Sequence, residues 1–178
     1  MQTFALQEVK LKNGVFKNAQ DVDLKYILAL NPDKLLAPYL IDAGLPLKAE
    51  RYGNWESSGL DGHIGGHYLS ALAMMYASTG NAELKQRLEY MIAELARCQA
   101  KNGNGYVGGI PQGKVFWERI HKGDIDGSGF GLNNRHGSRG RRLAGQGQIL
   151  CFSRAAVRAT GVRGGHRDLK LILKKEGV

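Results

Sequence analysis

The sequence predicts a mainly α-helical protein built of antiparallel helical hairpins, with one short strand at its amino end. Three observations carry this prediction. Apolar residues recur at spacings of three and four from Ala19 to Ile120, the helical period. Asn-Pro and Gly-Asn junctions cut that pattern into helix-length pieces. Only Phe4, Leu6, Val9 and Leu11 alternate with polar residues before a turn at Asn13-Gly14, as a strand would.

The first helix spans Ala19 to Leu30, with Val22, Leu24, Ile27 and Leu28 inward, and Asn31-Pro32 ends it. A second, Asp33 to Ala43, carries Leu35, Leu36, Tyr39 and Leu40 and stops at Gly44. Arg51 to Gly66 is rich in glycine and polar residues and reads as a loop. A third helix runs from Gly66 to Thr79, and a fourth presents Leu84, Leu88, Met91, Ile92, Leu95 and Cys98 on one face. The short Gly80-Asn81 link makes these two an αα-hairpin. Lys101 to Pro111 is too glycine-dense for a helix and reads as a functional loop. Gln112 to Ile120 is a short helix before the flexible run 123–131.

Composition narrows the function. Hydrophobic residues at 43% and charged residues at 23% describe an ordinary globular chain of 178 residues. No apolar run approaches the roughly 20 residues that cross a bilayer, and Met1 to Lys10 lacks an export signal, so no membrane partner is expected and the compartment stays open. The net charge of +9 lies wholly in the tail: residues 1–134 hold 14 basic and 14 acidic side chains, residues 135–178 hold 11 basic against Asp168 and Glu176. The body therefore offers no phosphate-binding footprint, and nucleic acid is not an expected partner. Cys98 and Cys151 make neither a disulfide framework nor a metal cluster, and Cys98 is expected to pack on its helix.

Chemistry concentrates at Trp55-Glu56 and at Leu60-Asp61-Gly62-His63-Ile64-Gly65-Gly66-His67-Tyr68. Trp55 and Tyr68 combine apolar faces with polar tips, which suits sugar rings. The helix start beside them would offer free N–H groups. The structural alternative has Trp55 in the core, Glu56 as a helix cap and the histidines as satisfied core residues. His63 and His67 stand four apart, but the intervening Gly65-Gly66 argues against a continuous helix, so no metal site is expected there. Asp124 to Ser128 looks like half a calcium loop, yet Arg135 stands where its closing acid belongs. Glycosidases need two carboxyl groups about 5 to 9.5 Å apart. No acid here is singled out for that role.

Ordered motifs resemble glycoside hydrolase family 127, the β-L-arabinofuranosidase family. They are Leu30 to Pro38, Tyr52-Gly53-Asn54-Trp55-Glu56, Leu60 to His63, Gly66 to Ala73, Leu95 to Gln99 and Gly103 to Gly109, over about residues 4–134. The resemblance implies an (α/α)6-barrel catalytic domain, of which this chain holds an incomplete, amino-terminal part, and retaining hydrolysis of arabinofuranosides. In complete members the chemistry belongs to a glutamate acid/base and a cysteine nucleophile held by zinc with further cysteines and a glutamate. Neither Cys98 nor Cys151 matches that constellation, so no catalytic residue and no zinc ligand is expected in this chain. What carries over is a substrate wall for an arabinose-containing carbohydrate: His63 and His67 toward sugar hydroxyls, with Trp55, Glu56 and Tyr68 lining or supporting the pocket.

Family-like motifs stop near Arg135. A basic Arg/Gly-rich tail, 135–178, follows, with a shifted reading frame as the expected origin and a genuine acid-binding tail as the alternative. For the body, a non-enzymatic helical-hairpin scaffold is the competing reading.

Overall fold

The computed structural model describes residues 4–59 and 61–122. The run from Gly123, the Asp124 to Ser128 motif, Cys151 and the basic tail lie outside the described residues.

Five α-helices are described: α1 Val15–Ala29, α2 Pro32–Asp42, α3 His63–Thr79, α4 Ala82–Asn102 and α5 Gly113–His121. The second is buried on every side from Leu35 to Leu40, the mark of a helix at the centre of its neighbours. Its start is well specified. Asn31 accepts hydrogen bonds from the backbone N–H groups of Asp33 and Lys34, at 2.9 and 3.4 Å, and Pro32 occupies the first turn, where a missing N–H costs nothing.

α3 and α4 form the expected hairpin. Gly80 takes the left-handed conformation (φ 73°) and its N–H reaches the Tyr76 carbonyl at 2.8 Å, while Asn81 caps α4 through Glu83 and Leu84. Leu69, Leu72 and Ala73 of α3 meet Leu84, Leu88, Met91, Leu95 and Cys98 of α4 and Leu35, Leu36, Tyr39 and Leu40 of α2 in one core. Cys98 packs there as expected, and burial pushes its thiol up to about 11.

Three expectations are corrected. The amino-terminal strand is absent among the described residues. Leu6–Glu8 is a 3-10 turn closed on itself, with Glu8 N–H donating to the Ala5 carbonyl and its carboxylate accepting from Ala5 N–H. Alternation alone makes no ladder without a neighbouring strand, and none is described here. The first helix begins at Val15 rather than Ala19, since nothing from Val15 to Asn18 breaks a helix and the Lys17–Asp21 ion pair supports its first turns. The third begins at His63 and runs straight through Gly65-Gly66.

Packing explains that last difference. A Cβ on Gly65 would lie 3.0 Å from the Tyr39 ring and 3.1 Å from the Leu35 carbonyl. Glycine therefore lets α3 close onto α2, and the contact outweighs a propensity cost of about 1 kcal/mol. No described helix is long and apolar enough to cross a membrane. An (α/α)6 ring is not defined by these helices; what they show is a mainly helical domain.

Candidate functional site

The loop ahead of α3 is fastened from inside by three polar anchors. Glu56, 2% exposed, sits in a 3-10 turn (Asn54–Ser57) and turns its carboxylate to the backbone of α3, accepting from Gly62 N–H and Ile64 N–H, each at 2.8 Å. Asp61, also buried, accepts from the Arg51 guanidinium and from Gly59 N–H at 2.8 Å. Tyr39 donates its hydroxyl to the Gly62 carbonyl. Gly62 is itself left-handed (φ 82°), and a Cβ there would meet Tyr39 at 2.9 Å, so only glycine fits.

These anchors revise what the helix start can do. Its free N–H groups were expected to face a ligand, but Glu56 fills that role as a charged cap, favoured by the helix dipole. Desolvation raises the Glu56 pKa above its ordinary value, and the two backbone bonds oppose the rise. Glu56 thus brackets His63 by holding the residues on either side of it.

His63 and His67 fall on one face of the first two turns, with His67 exposed and His63 half-buried. Their Nε2 atoms are 3.1 Å apart and their rings meet edge to face, centroids 4.5 Å apart. Partial burial, then the neighbouring His67, lowers the His63 pKa. A neutral pair can share one N–H···N bond and still present one N–H and one lone pair to a ligand.

Trp55 stands 62% exposed on a neighbouring cleft of about 290 Å³. Leu30, Leu35, Tyr52, Glu56 and Ile64 complete most of its wall. The two histidines do not line this cleft; Ile64, between them in sequence, does. The structure therefore joins His63 with His67, joins Trp55 with Glu56, and links both pairs through the start of α3.

Tyr68 goes elsewhere. It is 3% exposed, donates to the Ile27 carbonyl at 3.1 Å and accepts from Arg87 at 3.3 Å, while Arg87 also reaches the Leu30 carbonyl at 2.9 Å. It ties the end of α1 to α3 and α4 rather than facing the cleft. One step along a helix turns a side chain by roughly 100°, which separates Tyr68 from His67.

The loop 103–112 has an anchor that the residue pattern did not reveal. Tyr106 is hydrogen-bonded to Asp42 at the end of α2, and its hydroxyl occupies space that a Cβ on Gly108 or Gly113 would overlap. Those glycines are the signal for a half-buried ring, visible only once the fold brings them together.

The zinc that the resemblance implies needs converging cysteine and glutamate donors. Among the described residues no group of three or more His, Cys, Asp or Glu converges to hold a metal ion. The single described cysteine is buried with a raised pKa. These residues do not fit a cysteine–glutamate zinc centre.

An indole on a cleft and two helix-borne imidazoles thus flank the start of α3. Residues 8–142 match the family model described as the β-L-arabinofuranosidase, GH127 catalytic domain, and the chain belongs to that family. The match passes Arg135, so it includes the first part of the segment assigned by motif to the tail. No curated protein gives a significant match.

Proposed function

We propose that this chain forms part of the sugar-binding wall of a β-L-arabinofuranosidase-type glycoside hydrolase with an (α/α)6-barrel catalytic domain. The observation that carries the reading is the His63–His67 pair on α3, with His67 exposed and His63 half-buried, linked to the Trp55 cleft through Ile64 and the buried Glu56 carboxylate. The imidazoles hydrogen-bond ring hydroxyls, the indole covers an apolar sugar face, and Glu56 fixes the helix turn that aims them. Bond cleavage belongs to other groups. The resemblance assigns the retaining chemistry to a zinc-held cysteine and a glutamate, neither of which it carries over to a residue of this chain.

An aryl β-L-arabinofuranoside tests both halves at once. Calorimetry with the purified chain is expected to show binding in the millimolar range, about 4 kcal/mol, weakened by His63→Ala or His67→Ala, with no aryl release. Absence of binding, or turnover abolished by His67→Ala, would overturn the reading; a helical-hairpin scaffold predicts the former.

A further inference from the structure

We propose that His63 and His67 together form a bidentate site for a borderline divalent transition-metal ion of the Zn²⁺, Ni²⁺ or Cu²⁺ class, on the exposed face of α3. The inference does not depend on the sugar reading. It also concerns residues other than the cysteine–glutamate zinc set that the family resemblance implies.

The objection to such a site was the Gly65-Gly66 pair, and the structure removes it: both histidines lie in one unbroken helix. Their spacing suits a metal. The Nε2 atoms are closer to each other, at 3.1 Å, than the ring centroids, at 4.5 Å, so both nitrogen edges turn inward. Two bonds of about 2.0 to 2.1 Å to nitrogens that far apart enclose an angle of about 98°, between the octahedral and tetrahedral values. The rings stand edge to face at 81°, so binding turns the side chains until both lone pairs meet at one point.

The backbone beneath the pair is fixed in advance. Glu56 clamps the residues flanking His63, and Gly65 packs directly on Tyr39, so the first two turns do not have to be ordered by the ligand. Imidazole nitrogen selects borderline ions over Mg²⁺ and Ca²⁺, which prefer oxygen. Glu56 and Asp61 do not join in, because both are buried and spend their oxygens on backbone and guanidinium donors. Two protein ligands leave the remaining coordination positions to water, an open site.

The metal-free chain of 178 residues is titrated with Ni²⁺ by calorimetry, alongside His63→Ala, His67→Ala and the double variant. His121, His136, His166 and both cysteines remain in every protein, so their contribution cancels. The expected result is one equivalent of Ni²⁺ that the double variant lacks, with each single variant at least about tenfold weaker. Equal affinity and stoichiometry in wild type and double variant, or no uptake by either, would overturn the proposal. His67→Cys keeps a ligand at the same position. It is expected to give a thiolate-to-Co²⁺ absorption band that wild type lacks, provided His63 is intact, and the absence of that band in a folded His67→Cys protein also counts against the site.

Discussion

Glu56 turns its carboxylate inward, to two backbone N–H groups of α3, although its sequence position beside Trp55 equally suits an outward, ligand-facing acid. Both roles were open in the sequence, since a glutamate seven residues before a histidine says nothing about its rotamer. Glu56→Ala leaves two donors at the start of α3 without their buried, charged partner. The expected loss is about 2 to 4 kcal/mol, read as a lower midpoint in urea, with a smaller loss for Glu56→Gln, which keeps one acceptor. Asp42 gives the pH counterpart. Burial lifts its pKa from 3.8 to about 6, against the opposing effects of Lys114 and Tyr106, and its Oδ2 has no hydrogen-bond partner among the described residues. The folded chain thus holds this proton more tightly than the unfolded one. Stability from this group is complete below about pH 4 and falls as pH rises through 6. Thermal melts at stepped pH should show that decline in wild type and a flatter profile in Asp42→Asn.

At the scale of elements, the helical period gave α2, α4 and the hairpin link nearly as they stand, because Leu84 to Cys98 and Leu35 to Leu40 are core positions with no competing signal. The errors fell where a local rule met a tertiary contact. Gly65-Gly66 looks like a helix breaker until Tyr39 is laid across it, and Phe4 to Leu11 looks like a strand until no partner strand adjoins it. Gly65→Ala tests this directly. In an exposed helix the change would stabilise by up to about 1 kcal/mol. Here the added methyl meets the Leu35 carbonyl and the Tyr39 ring, so a net destabilisation of about 1 to 2 kcal/mol is expected, and unchanged or increased stability would contradict the close approach of α3 to α2. The Trp55–Glu56 and His63–His67 pairs were legible as a cluster in sequence; that Tyr68 belongs to the core was not, because a tyrosine's hydroxyl partners, here Ile27 and Arg87, come from distant segments.

Across the whole molecule, apolar side chains stay uncovered among the described residues. Phe4, Val9, Val15, Phe16, Val22 and Tyr26 are all exposed, surface of the kind that other chain segments or partners cover. The isolated chain is accordingly expected to associate as its concentration rises, seen by light scattering, and to associate less when Phe16 is changed to Ser. The family match over residues 8–142 and the site at the start of α3 support the same reading of what the molecule handles. Its central claim, a sugar-binding wall centred on the histidine pair, meets its most direct test in Trp117→Phe protein, where Trp55 is the sole indole. Titration with an arabinofuranoside should change Trp55 emission saturably, and His67→Ala should weaken that change by about tenfold or more. No change in emission, or the same change in His67→Ala, would contradict it.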